Sequence, residues 1–364
     1  MKRMTSMILS LLMLLCCLAS GSAETLIPVA AEAPVPIAVE YRNHTAAEGV
    51  SPLTGLSVPD EPYTPIMLVL GGAPEAFPFW GISEASLLFQ VPSMGGGDTK
   101  LMALFGDSYP EKAGGARSSR MTMLPLANAF DAAFVCAGCP PMGTATMTDV
   151  EHYLDLWGYV ERGNYFNLLG TAPKERRNDR TEPHNLSAKV KEIHETLVKQ
   201  GVSFEKRPFF FAEHPLEYGD EAARLTMTYF GNETRLAERN ERTESSCSFT
   251  YQEGTGYTRT SASGLNIDEA TGEPLTFANV IVVWVDYDSE VIGDNTYLCL
   301  KDQMVGSGQA DIFQNGKHIT GAWAHTDRKA RLVFLSDRGT ELRLQPGKTF
   351  VIVCNRYNEL TIQN

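Results

Sequence analysis

The sequence predicts an α/β layered N-terminal domain followed by a mainly antiparallel β C-terminal domain. Three observations carry that reading. Over the first half, wholly apolar runs of about five residues alternate with helical patterns, as strands buried on both faces of a sheet require. From about Leu225 onward, short β-rich runs alternate with polar turns. The chain has 364 residues, with 43% hydrophobic and 21% charged, enough for about two domains with ordinary cores.

Residues 1–23 read as an export signal. Lys2 and Arg3 supply a positive start, residues 7–15 are almost wholly apolar, and Gly21-Ser22-Ala23 offers the small residues of a cleavage site. Cys16 and Cys17 add a second reading, cleavage before a cysteine that then carries lipid. Anchoring to the outer face of the cell membrane and release from it both stay open, with anchoring favoured. No other run reaches the ~18 apolar residues of a membrane span. Residues 24–50, dominated by Ala and Pro over 29–36, form a tether. The α/β domain then covers 51–224 and the β-rich domain 225–364.

In the first domain, strands are predicted over 66–70, 85–91, 101–105 and 132–136. Helices are predicted over 121–130, 149–159 and 186–200, the last ended by Gly201. In the second, strands are predicted over 226–230, 248–252, 280–285, 331–335 and 349–353, with turns at Asn315-Gly316, Asp337-Arg338-Gly339 and Gln345-Pro346-Gly347. Val282, Trp284, Leu332 and Phe334 sit in separate strands and are expected to give this domain a core of its own.

The net charge of −13 and pI near 5.1 argue against a nucleic-acid-binding face, so local basic clusters stand out. One follows the strand over 101–105. There Gly114-Gly115 leads into Arg117-Ser118-Ser119-Arg120, two guanidinium groups three residues apart with hydroxyls between them, able to converge on an anion. The other gathers Arg176, Arg177, Arg180, His184 and Asn185 just before the helical pattern from Leu186. Asn185 or Ser187 would cap that helix, and its N-terminus would favour an anion. Solvated arginines paired with surface acids are the plain alternative for both clusters.

Five cysteines lie outside the signal: Cys136, Cys139, Cys247, Cys299 and Cys354. An odd number in an exported chain leaves at least one free or intermolecular thiol. Cys136-Ala137-Gly138-Cys139 is a C-x-x-C. Pro140-Pro141 follows and no helix starts there, so a plain disulfide or free thiols fit better than a redox catalyst. No zinc-type spacing or cofactor fingerprint is visible, so none is expected. His318, Trp323 and His325 lie near a predicted hairpin and read as structural.

In combination, a set of segments resembles the YerB-like putative lipoproteins, a bacterial family whose two regions are domains of unknown function. The match covers most of 51–360. It includes Pro52-Leu53-Thr54-Gly55, Ser83-Glu84-Ala85, Pro110-Glu111-Lys112, Arg117-Ser118-Ser119-Arg120, and Arg176 and Arg180 before Pro183-His184-Asn185-Leu186. In the second region it includes Asp268, Thr271-Gly272, Ala278-Asn279-Val280, Val305-Gly306-Ser307-Gly308, Asn315-Gly316-Lys317 and Pro346-Gly347-Lys348. The resemblance implies an extracytoplasmic, often lipid-anchored protein and no established activity. It expects a histidine where Cys136 stands, a glutamate where Gln90 stands and an arginine where Lys100 stands. Loss of such groups weakens an enzymatic reading more than a binding one, because proton transfer needs groups of matched pKa.

The expected function is therefore binding of an anionic cell-envelope ligand, such as a phosphate-bearing glycan or a wall carboxylate. Arg117, Ser118, Arg120, Arg176, Arg180, His184 and Asn185 would line the cleft, the only membrane contact being a lipid anchor. The alternatives are a transferase or hydrolase acting on a wall glycopolymer or pyrophosphate-linked precursor, and an assembly module without small ligand. The approach to Arg117-Ser118 is loosely similar to LytR-type ligases, but no matching acid stands beside Arg117.

Overall fold

The computed structural model describes residues 25–26, 45–215, 217–230 and 244–364. The signal segment with Cys16 and Cys17, and most of the 24–50 tether, lie outside the described residues.

Eleven strands form one mixed sheet: β1 Ile66–Leu70, β2 Leu87–Pro92, β3 Thr99–Phe105, β4 Ala133–Cys136, β5 Tyr165–Asn167, β6 Asp220–Glu221, β7 Asn279–Trp284, β8 Gly306–Gln314, β9 Lys317–His325, β10 Val333–Leu335 and β11 Thr349–Cys354. Their order is β6-β9-β8-β7-β11-β2-β3-β1-β4-β5, with β10 on β9. β1, β2, β4, β7 and β11 point the same way, since the pairs β1–β4, β2–β11 and β7–β11 are parallel and β3 runs antiparallel between β1 and β2. Their C-terminal ends therefore meet on one edge.

All five residues of β1 and all seven of β3 are buried, because both faces of the sheet are covered. Alternate residues serve the two faces. Leu68, Ala103, Val282 and Phe350 meet a second, antiparallel sheet and helix α4 (Val190–Lys199) on one side. Met67, Leu104, Val283 and Val351 meet helices α1 (Leu124–Ala129), α2 (Val150–Leu156) and α3 (Tyr159–Arg162) on the other. The second sheet includes Glu359–Gln363, Arg224–Phe230, Glu244–Gln252 and Gly256–Ser261 in that order. The β8–β9 hairpin turns at Asn315-Gly316, both at positive φ, as that dipeptide predicts.

Three expectations change. First, the molecule is mostly strands with few, short helices, and one face of the sheet is covered by β structure as well as by a helix. The layered α/β expectation for the first half is not borne out. Second, the β-rich tail does not have its own core. β11 pairs with β2, Ile352 opposite Gln90, and both apolar clusters draw on both halves, so Val282 and Leu332 pack against first-half residues. Apolar runs specify burial but do not name the partner. Third, the helix predicted over 186–200 starts late. Leu186–Ala188 is a strand, and α4 begins at Val190 after Lys189, which makes no side-chain cap. Asn185 and Ser187 are therefore not helix caps, and a strand rather than a helix N-terminus directly follows His184 and Asn185. The spacing of Val190, Ile193 and Leu197 and the stop at Gly201, with positive φ, hold.

Candidate functional site

A cavity of about 630 Å³ opens at the edge where the parallel strands end. It is built by Gly71-Gly72 after β1, Ser93 and Met94 after β2, Thr99 and Lys100 at the start of β3, and the arginine loop. Ligand sites collect at such an edge because loops diverge there. Ser246, Arg259 and Ser263 come from the second half and complete the wall.

Gly114-Gly115 lets two backbones approach. A methyl group on Gly115 would stand 2.7 Å from the carbonyl oxygen of His184, and one on Gly114 the same distance from that of Leu186. Ala116 N donates to Leu186 O at 2.7 Å, and Arg117 N donates to Val69 O at 3.0 Å. Arg117 is thereby laid along the end of β1 with His184 beside it. A methyl group on Gly71 would lie 3.2 Å from Arg117 Cγ and 3.7 Å from His184 Nδ1.

The electrostatics of the cavity are one-sided. Lys100, Arg117, Arg120, Arg259 and His184 line it, against one acid, Asp98. Arg117 has no side-chain hydrogen bond or ion pair among the described residues. Among the described residues Arg120 donates only to neutral groups: Ser118 Oγ at 3.1 Å, Ser119 O at 2.7 Å and Met94 Sδ at 3.4 Å. Lys100 is 8% exposed and donates to Ser118 O at 2.5 Å and Ser118 Oγ at 3.0 Å. Burial first, then Arg120 and Arg117, hold its ammonium well below the ordinary lysine value. Arg259 is 2% exposed. It donates to Gln90 Oε1 at 2.6 Å and to Asn266 Oδ1, and lies 5.6 and 5.4 Å from the rings of Phe77 and Phe350. Two amide oxygens and no carboxylate hold this guanidinium, its buried Nε has no partner among the described residues, and burial lowers its pKa. Burial, then Arg117, push the His184 imidazole below its ordinary value, and its buried Nδ1 has no partner among the described residues.

Of the residues expected from sequence, Arg117, Arg120 and His184 line one cavity, and Ser118 holds Lys100 and Arg120 in place. Arg176, Arg180 and Asn185 do not line it. Arg176 donates to Glu182 Oε1 and to Asn185 Oδ1, each at 2.9 Å. Arg180 donates to Glu269 Oε2 at 2.8 Å and stacks 5.2 Å from Trp80. Arg177 makes a two-pronged bond to the same Glu269, 2.9 Å on each side. Arg177 and Arg180 clamp the 174–188 segment to the second half through an acid 92 and 89 positions away, beyond the reach of a local reading. His318 meets Asp311 Oδ1 at 2.8 Å and His325 meets Met304 O at 2.9 Å, both buried and structural as expected.

Arg259 was missed. Its signal was the two-residue alternation with buried Tyr257 on Gly256–Ser261, which turns an arginine inward. Gln90 and Lys100, two positions where the family resemblance expects other residues, line the cavity, and Cys136, the third, ends β4.

Fold and site together define a two-part mixed-sheet protein with a cation-lined cavity where its halves meet. The chain belongs to the family of proteins of unknown function DUF3048: residues 53–203 match its N-terminal domain and 237–351 its C-terminal domain. It is 26% identical over 313 residues to the "Putative lipoprotein YerB" of Bacillus subtilis (strain 168), spanning 84% of this chain and 86% of that one. The crystal structure of the YerB protein from Bacillus subtilis shares the fold with a TM-score of 0.68 at 23% identity, covering 85% of this chain and 99% of that one.

Proposed function

We propose that this protein is exported and acts at the cell envelope by binding an anionic ligand, such as a phosphate-bearing glycan or a wall carboxylate, in the cavity between its halves. One observation carries the reading: three guanidinium groups, a buried lysine and a histidine converge on the cavity with a single acid among its lining residues, in a chain of net charge −13. Guanidinium groups without carboxylate partners bind phosphate or carboxylate with charge-assisted hydrogen bonds worth about 1.5–3 kcal/mol each. The basic and apolar N-terminal segment, Cys16-Cys17 and the name of the B. subtilis relative support a lipid anchor at the outer face of the membrane. The test is binding of the purified chain from Glu24 onward to cell-wall fractions with and without their anionic polymers, together with titration by pyrophosphate. Retention only on polymer-bearing walls is expected. Equal retention on stripped walls with no heat of pyrophosphate binding would overturn the reading.

A further inference from the structure

The C-x-x-C pair touches the arginine loop. Cys136 closes β4, and its Sγ lies 3.4 Å from Sγ of Cys139, with both side chains buried. Cys139 Sγ is also 3.2 Å from Ser119 Oγ and 3.1 Å from Tyr165 Oη. Two backbone hydrogen bonds join the segments: Ala137 N donates to Arg117 O, and Ser119 N donates to Gly138 O, each at 2.9 Å. The two residues enclosed by the cysteines are thus the ones bonded to the chain that carries Arg117 and Arg120.

We propose that Cys136 and Cys139 close a disulfide by exchange with a small-molecule disulfide after export, and that closure stiffens the 117–120 segment lining the cavity. The Cys139 thiolate attacks one sulfur of the oxidant, whose other sulfur leaves as a thiolate. The Cys136 thiolate then attacks Cys139 Sγ, breaking the mixed disulfide and releasing the second thiolate. Two protons leave the cysteines and two are taken up by the released thiolates, so two protein thiols are oxidised and one disulfide is reduced to two thiols. The environments favour this order. Hydrogen bonding from Cys136, with further bonds from Ser119 and Tyr165, holds the Cys139 thiol below its ordinary value, whereas burial pushes Cys136 up. Exposed Met142 and Gly143, just beyond Cys139, are where local opening admits the oxidant. Bond formation takes the sulfurs from 3.4 Å to about 2.0 Å, a shift that Ala137 and Gly138 pass to Arg117 and Ser119 through their hydrogen bonds.

This inference stands apart from the ligand reading, and its readouts involve no ligand. The chain from Glu24 onward is equilibrated with oxidised or reduced dithiothreitol, alkylated and digested with trypsin. Residues 121–162 hold no internal Lys or Arg, so both cysteines fall on one peptide. That peptide is expected two hydrogens lighter and unalkylated after oxidation, and doubly alkylated after reduction. Amide exchange over 117–120 is expected to slow at least about threefold on oxidation, and Cys136→Ser to show no response to the oxidant. Full alkylation after oxidation, or identical exchange in the two states of the unmodified protein, would overturn the proposal.

Discussion

Arg117 brings charge to the cavity without a side-chain hydrogen bond among the described residues, which separates its two effects. Arg117→Ala should weaken pyrophosphate binding about tenfold, the loss of one charge-assisted contact, and leave the melting temperature nearly unchanged. Calorimetric titration and thermal scanning check both halves of that statement. His184 makes the affinity depend on pH. Its folded pKa lies below the ordinary 6.5, so the unfolded chain takes up the proton first, and the stability it contributes is present above pH 6.5 and falls as pH drops through that region. Binding runs the other way, because protonated His184 adds a positive charge beside Arg117. The ratio of unmodified to His184→Gln affinity for pyrophosphate should therefore rise as pH falls below 6.5, the comparison cancelling the ligand's own protonation. Gln90 sets the charge balance from the far wall. Gln90→Glu would place a carboxylate 2.6 Å from the Arg259 guanidinium, where an amide oxygen now stands. The expected result is a higher melting temperature and at least a threefold loss of affinity, by about 0.7 kcal/mol or more. Unchanged affinity would mean that Arg259 does not act on the ligand.

At the scale of elements, the 174–188 segment is held by Glu269. That carboxylate accepts from Arg177 and Arg180, and both guanidinium groups lie over Trp80, 4.7 and 5.2 Å from its ring centre. Glu269→Ala should cost about 1 kcal/mol, since one side of the cluster meets water, and should raise amide exchange across 174–188. Exchange confined to its original rate would show the clamp to be incidental. This clamp also explains what sequence could and could not reveal. The strands over 66–70, 101–105 and 132–136 were legible because burial on both faces writes itself as an unbroken apolar run. That Arg117, Arg120 and His184 come together in one cavity was legible because glycine turns and basic clusters are local features and loops leaving one sheet edge converge. Arg180 has the same composition and a different job, fixed by Glu269, 89 positions on in the chain. Leu186 illustrates the other limit: its spacing suits the first turn of α4, yet its backbone pairs with Arg176, and tertiary pairing overrides helical period.

At the scale of the whole molecule, the seam between the halves is a row of backbone hydrogen bonds inside a sheet. β11 lies between β7 of the second half and β2 of the first, parallel to both, and Phe350 and Val351 point into different clusters that each contain residues from both halves. Neither half can bury its own β edge or close its own core alone, so unfolding should be cooperative across the boundary. One calorimetric transition is expected for the chain from Glu24 onward, with equal calorimetric and van't Hoff enthalpies. Residues 213–215 and 217–221 are exposed and join the halves, so a protease should cut there first, and the two pieces should still elute together without denaturant. Expressed separately, 45–224 and 225–364 should each lack a cooperative melt, and mixing them after co-refolding should restore both the melt and pyrophosphate binding, because Arg259 comes from one piece and Arg117 from the other. A cooperative transition in 225–364 alone would mean that the second sheet suffices as a core, and that the cavity forms by docking of two finished domains.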